Sequence, residues 1–309
     1  MMTTTFYRCI FLRFFKALFA VALLGGLAAT EAQALDLTLT VGNTERRAIV
    51  VNEPPAGEIR PVVLVLHGGR GSAEAQQART GFDQLALREG FMAVYPEGTE
   101  YGAQGFHAWN TGYLMRDQVA TADDVAFFDA LIDRLIQQYG ADPRRIYMTG
   151  GSNGGMMVFV YAVQRPAKLA AVAPVVGAMF SFGRKPSVPV PIMMINGAKD
   201  EEVPIKGGMS RNPLVRQAQA APYKSLSATV SFWAKANRSA RKPVTSVRGT
   251  VRTQTYAATR DGAVTISVVD SAAGHGWPGI APSGRGNTPI QSFDGAEKVW
   301  SFFKTQARP

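Results

Sequence analysis

Ser152 lies in Gly150-Gly151-Ser152-Asn153-Gly154, a G-x-S-x-G pattern. The run Arg145 to Thr149 before it reads as a strand, and Met156 to Gln164 after it reads as a helix. In that context the pattern predicts a sharp strand-turn-helix elbow that lifts the serine hydroxyl above a sheet. The turn is crowded, and Gly150, Gly154 and Gly155 supply small neighbours. A Gly/Ser-rich helix start that only caps the helix or binds phosphate is the plainer reading; the preceding strand favours a nucleophile. A serine hydroxyl needs a base to take its proton. The chain has 3 histidines, and His275 alone follows Ser152, just after the last expected strand. In the order Ser, acid, His, it is the expected base. His67 precedes the serine and suits a loop-packing role better.

The acid must hold the imidazole in one tautomer and stabilise its charged form. Between Ser152 and His275 the carboxylates are Asp200, Glu201, Glu202, Asp261 and Asp270. Asp200 is favoured, because a short Gly-containing loop carries it from the strand Val190 to Ile195 to the serine's edge of the sheet. Asp270 ends a strand near His275 and is its rival. Asp261 precedes Gly262 and reads as a hairpin turn. An oxyanion needs two backbone donors, one from the residue after the nucleophile and one from an early loop. Asn153 is the first; Gly69 or Arg70, in His67-Gly68-Gly69-Arg70-Gly71, is the second. Trp277, two residues from His275, is expected to line the cleft. Trp109, with Phe106 and His107, is either a second wall for substrate or a loop anchor. Met156 and Met157 read as core, and Asp123 and Asp124 as helix-start residues rather than a metal pair.

These groups require elements that bring them to one sheet edge. Leu37 to Val41 and Arg47 to Val51 predict an antiparallel pair, and Val62 to Leu66 a strand buried on both faces. Ala73 to Arg88 reads as one helix ended by Gly90, and Phe91 to Tyr95 as a strand. Residues 97–120 read as a long loop, Asp123 to Tyr139 as a helix, Leu169 to Val175 as a strand. Ser227 to Asn237 and Ala296 to Phe303 read as helices, Val264 to Val269 as a strand, and 201–222 as an excursion near the site. Strands alternating with helices predict an α/β fold with a mainly parallel central sheet covered on both faces. Ligands bind such sheets at the carboxyl ends of the strands.

The chain has 309 residues, 46% of them hydrophobic and 18% charged, which excludes a disordered chain. A single cysteine excludes an internal disulfide scaffold and a cysteine-ligated metal cluster. Arg8, Arg13 and Lys16 precede the apolar run Ala17 to Ala29, and Ala32-Gln33-Ala34 has the small-x-small form of a cleavage site. Residues 1–34 are therefore expected to be a signal peptide and 35–309 the catalytic domain, exported to the periplasm or beyond the cell, with no stable membrane insertion after cleavage. The net charge is +10. Arg238, Arg241, Lys242, Arg248 and Arg252 form a loose basic stretch without interleaved aromatics, read as a solvated or anion-attracting face; nucleic acid is not an expected partner.

The spacing of LHGG (66–69), YPEG (95–98), WN (109–110), DDV (123–125), GSNGGMM (151–157), NGAKDEEVP (196–204) and GHGWPG (274–279) resembles the polyhydroxybutyrate depolymerase/feruloyl esterase group of α/β-hydrolases, including LpqC-like exported esterases. The resemblance implies an α/β-hydrolase fold and carboxylic ester hydrolysis without cofactor or metal, and maps nucleophile, acid and base onto Ser152, Asp200 and His275. The chain departs from the group in lacking paired cysteines, in Asn196 where His is usual, and in Gly151 where a larger residue is usual. The catalytic domain takes up the chain, so hydroxybutyrate oligomers, feruloyl or other small esters are expected ahead of solid polymer. The rival readings are a peptidase or amidase on the same fold and a non-catalytic binding protein.

Overall fold

A computed structural model describes residues 34–114, 119–281 and 288–309. The expected signal peptide lies outside them apart from Ala34. The chain opens with β1 (Ala34–Val41), β2 (Thr44–Val51) and β3 (Arg60–Leu66). Next come α1 (Ala73–Thr80), α2 (Phe82–Glu89) and β4 (Met92–Pro96), with β5 (Thr99–Tyr101) and β6 (Phe106–Ala108) inside the expected long loop. The middle holds α3 (Asp124–Gln138), β7 (Ala141–Gly151), α4 (Asn153–Gln164), β8 (Ala171–Val175) and β9 (Ile192–Gly197). Then follow α5 (Pro213–Ala218), α6 (Leu226–Ala236), β10 (Val244–Arg248), β11 (Val251–Tyr256), β12 (Thr265–Asp270) and α7 (Gly295–Phe303).

One 10-stranded sheet has the order β1-β2-β4-β3-β7-β8-β9-β12-β11-β10. Its centre, from β4 to β12, is parallel, and both outer ends are antiparallel. The β3 run explains why the centre is buried twice over. Val62, Leu64 and Leu66 enter the core under α3, α4 and α6, while Val63 and Val65 enter the opposite core under α2 and α7. Each such side chain contributes about 1.5–3 kcal/mol by leaving water.

Besides β5 and β6 in the expected long loop and α5 in the 201–222 excursion, two segments differ from the sequence reading. Ala73 to Arg88 is two helices, because Gly81 takes φ 76 and turns the chain so that Phe82 enters the core. The basic stretch contains β10 and β11, a hairpin closed by Gly249 and Thr250, with Gly249 at φ 57. Its charges therefore lie on and beside the sheet's outer hairpin.

A buried ion pair anchors the loop that leads to the site. The guanidinium of Arg46 on β2 donates to Asp124 Oδ1 at 2.8 Å and to the Glu97 carbonyl at 3.1 Å. The backbone N–H of Asn110 donates to Asp124 Oδ2 at 2.7 Å, while Asp123 caps α3 by accepting from the Ala126 N–H at 2.9 Å. The Asp123–Asp124 pair thus acts as a cap and a strut. Asp124→Ala leaves a buried charge and an N–H uncompensated, and urea unfolding should show a loss of about 3–5 kcal/mol. The double variant Arg46→Met/Asp124→Leu should lose less.

Candidate active site

β7 ends by placing Ser152 at φ 55, ψ −120. A non-glycine residue held in such a sparsely populated region costs about 1–3 kcal/mol. The surroundings impose it: the Ser152 N–H donates to the Val175 carbonyl at 2.9 Å, and the Met156 N–H donates to the Ser152 carbonyl at 2.9 Å. A Cβ at Gly154 would sit 2.5 Å from the His67 carbonyl oxygen and 2.6 Å from that of Leu66, so only glycine lets α4 start this close to β3. Ser152 then lines a cavity of about 470 Å³ together with Gly69, Arg70, His275 and Trp277.

His275 follows β12, and Asp200 follows β9, its parallel neighbour. The two loops are tied together: Ala198 N–H donates to the Asp270 carbonyl at 2.9 Å and Lys199 N–H to that of Ala273 at 2.8 Å. His275 Nδ1 lies 2.8 Å from Asp200 Oδ2, while the other Asp200 oxygen accepts from the N–H groups of Glu202 at 2.9 Å and Val203 at 2.7 Å. Asp200 is buried. A carboxyl group with both oxygens occupied in this way orients the ring with Nδ1 toward the acid and leaves Nε2 to exchange a proton. The sequence rival, Asp270, is engaged elsewhere. It accepts from the Ala272 N–H at 2.9 Å and the Ser292 hydroxyl at 2.8 Å. Burial pushes its carboxyl up, but these hydrogen bonds outweigh that and hold it below the usual range.

His275 is pulled in opposite directions. Burial lowers its pKa, but the charge and hydrogen bond of Asp200, and the charge of Glu202, together raise it above the ordinary value. Glu202 Oε2 is 3.6 Å from His275 Nε2. By sequence Glu202 is only a rival acid; its adjacency to Asp200 in NGAKDEEVP is the signal that points to this second contact.

The glycine loop after β3 resolves one alternative. The Arg70 N–H donates to the His107 carbonyl at 2.8 Å, so Arg70 is corrected as an oxyanion donor and Gly69 remains. Arg70 itself has φ 67, and its guanidinium lies 4.4 Å from the centroid of the Phe106 ring, at the cavity wall. Asn153 heads α4, where a first-turn N–H has no partner within the helix. Its side chain is used differently. Oδ1 accepts from the Trp109 N–H at 2.8 Å and Nδ2 donates to the Trp109 carbonyl at 3.2 Å.

Trp109 is fully buried and donates from its indole N–H to the His67 carbonyl at 2.9 Å. It is an anchor joining the 97–114 loop to the elbow, and its expected role as a substrate contact is corrected. His67 is likewise structural: Nε2 accepts from the Gly98 N–H at 2.9 Å, which leaves Nδ1 to donate to the Gly68 carbonyl at 2.8 Å. Trp277 lines the cavity, packed edge-on against Phe82 with centroids 6.0 Å apart. A second cavity of about 660 Å³ opens beside Ser152 and Asn153; apolar Leu114, Met156, Leu214 and Val215 line it together with charged Arg70, Glu201, Glu202 and Arg211. The excursion after residue 200 thus reaches the site, and Met156, read as core, is buried with one side on this cavity.

A mainly parallel sheet flanked by helices, with a serine at the strand-helix elbow and an Asp–His pair at neighbouring strand ends, defines the α/β-hydrolase class. The chain belongs to the Esterase PHB depolymerase family, which matches residues 47–207. It is 30% identical over 239 residues to NocK of Nocardia uniformis subsp. tsuyamanensis, which is named as an esterase; the match covers 73% of this chain and 68% of NocK. It is 29% identical over 216 residues to feruloyl esterase B of Piromyces equi, covering 66% of this chain and 38% of that protein. With poly(3-hydroxyalkanoate) depolymerase C of Paucimonas lemoignei the identity is 26% over 164 residues, 52% of this chain and 38% of the relative. Among solved structures, an acetyl xylan esterase from Aspergillus awamori shares the fold with a TM-score of 0.60 at 14% identity, covering 88% of this chain and 99% of that one. The chain is therefore a carboxylic ester hydrolase.

The His275 environment gives a titration test. Nuclear magnetic resonance of the imidazole should place its pKa above 6.5 in the native protein. Glu202→Gln removes a carboxylate that stabilises the charged ring, so the midpoint should move to lower pH. The acid limb of ester hydrolysis should move the same way, because the neutral ring is the base.

Proposed function

We propose that this protein is an exported serine esterase in which Ser152, His275 and Asp200 act as nucleophile, base and acid. The single observation that carries the reading is the 2.8 Å contact of His275 Nδ1 with buried Asp200, in a histidine that lines the same cavity as the strained Ser152. His275 Nε2 takes the Ser152 proton as Oγ attacks the ester carbonyl. The N–H groups of Asn153 and Gly69 receive the developing oxyanion, a contribution worth about 2.7–4 kcal/mol per donor in such sites. The protonated ring gives its proton to the leaving alcohol, and water releases the acyl group by the same steps in reverse. Asp200 holds the ring and balances its charge.

The relatives named as feruloyl esterase and poly(3-hydroxyalkanoate) depolymerase support hydroxybutyrate oligomers, feruloyl esters or similar small carboxylic esters as substrates. Export rests on the basic, apolar and small-x-small order of residues 8–34. Among the described residues, no helix is long and apolar enough to cross a membrane.

The test is hydrolysis of p-nitrophenyl butyrate by the chain beginning at Leu35 and by its Ser152→Ala variant. Loss of at least about 10³-fold in kcat, with the circular dichroism spectrum unchanged, is expected. Equal rates in the two proteins would remove Ser152 from the mechanism. Cleavage of a matched amide at the rate of the ester would instead favour a peptidase.

A further inference from the structure

The loop after β9 carries more than the acid. Asp200 meets His275 at Nδ1, and Glu202, two residues on, places Oε2 3.6 Å from Nε2 of the same ring. One loop therefore brackets both ring nitrogens. Glu202 is held at both ends. Its backbone N–H donates to Asp200 Oδ1 at 2.9 Å, and its Oε1 accepts from the Asn212 side-chain NH2 at 3.3 Å. The Asn212 amide is fixed in turn: its Oδ1 accepts from the Leu214 N–H at 3.0 Å, and its backbone N–H donates to the Ser210 hydroxyl at 3.2 Å. Ser152 and Glu202 both line each of the two cavities at the elbow, so this carboxyl stands beside the nucleophile as well as the base.

Given the serine esterase reading above, on which this inference rests, the second half of the reaction has a use for such a group. Before acylation the Ser152 hydroxyl supplies the hydrogen that Nε2 accepts. Once Oγ carries the acyl group, that hydrogen is gone. Nε2 of the neutral ring and the oxygen of an ionised carboxylate are both acceptors. Two acceptors that face each other at 3.6 Å are reconciled by one molecule that brings a hydrogen to each. Water has two such hydrogens; an alcohol has one. We propose that Glu202 is a further catalytic residue, acting in deacylation. Its Oε2 accepts one hydrogen of the attacking water while His275 Nε2 takes the other as a proton. The water oxygen bonds to the acyl carbon, and the proton on Nε2 passes to Ser152 Oγ as the acyl–Oγ bond breaks. The products are the free acid and the restored serine, and Glu202 ends as it began. Because only water uses both acceptors, Glu202 also sets the preference of the acyl-enzyme for hydrolysis over transfer to an alcohol.

The experiment turns over p-nitrophenyl butyrate in dilute methanol, well above the His275 midpoint so that the ring is neutral in every variant. The ratio of methyl butyrate to butyrate is set after the acyl-enzyme has formed, so KM, the acylation rate and the fraction of folded protein leave it unmoved. Glu202→Leu should raise the ratio about tenfold, the worth of one hydrogen bond to a charged group. Glu202→Gln keeps an uncharged acceptor and should raise it less. Asn212→Ala keeps the carboxyl but frees it, and should raise the ratio about threefold. An unchanged ratio in Glu202→Leu, with hydrolysis and methanol transfer slowed together, overturns the proposal, because a carboxyl that only supports the His275 charge weakens both alike. That result leaves Ser152-dependent hydrolysis standing. Failure of the esterase reading is visible separately, as p-nitrophenyl butyrate hydrolysis retained by Ser152→Ala, and it overturns the role of Glu202 as well.

Discussion

The site depends on one backbone conformation, Ser152 at φ 55, ψ −120. Left-handed backbone at a residue with a Cβ is unfavourable by itself, so the fold must supply what holds it. It does so from both sides: β8 accepts the Ser152 N–H through Val175, and α4 closes its first turn on the Ser152 carbonyl. The close approach of Gly154 to β3 lets the helix begin immediately after the serine. The strain is stored where α4, β7 and β3 meet, and the buried two-faced strand β3 provides the rigidity that resists its release. This is the usual relation between a functional outlier and a well-packed scaffold.

A second layer of constraint joins the loops. Asp200 and His275 come from neighbouring parallel strands, and backbone hydrogen bonds between the 198–199 and 270–273 segments fix their separation before any side chain is considered. On the other side, Trp109 connects Asn153, His67 and the loop held by the Arg46–Asp124 pair. The residues of the proposed chemistry are few, and the groups that position them surround the site. Asn153 belongs to both sets, with its backbone proposed to meet the oxyanion while its side chain holds Trp109.

Local pattern makes much of this legible. The elbow is readable because its glycines lie between a strand and a helix, and His275 because chain order leaves no other histidine. The parallel core follows from runs such as Val62 to Leu66. What escapes the sequence is geometry that depends on a partner distant in the chain. Whether Arg70 can offer its N–H is decided by the carbonyl of His107. Whether Trp109 faces substrate or core is decided by the elbow it bonds to. Gly81 is tolerable inside a helix, and its left-handed turn is favoured only because Phe82 then reaches the core. The β10–β11 hairpin is hidden by its charges, although Gly249-Thr250 is a suitable two-residue turn.

The central claim is that Ser152 forms a covalent acyl-enzyme. The most direct measurement is rapid acid quench of the enzyme during turnover of p-nitrophenyl butyrate, followed by intact-mass and peptide mass spectrometry. The account predicts a butyryl adduct confined to the peptide containing Ser152, accumulating in Asp200→Asn and His275→Ala far more slowly than in the native chain. An adduct on another residue, or turnover with no adduct on the millisecond scale while hydrolysis proceeds at full rate, would contradict it.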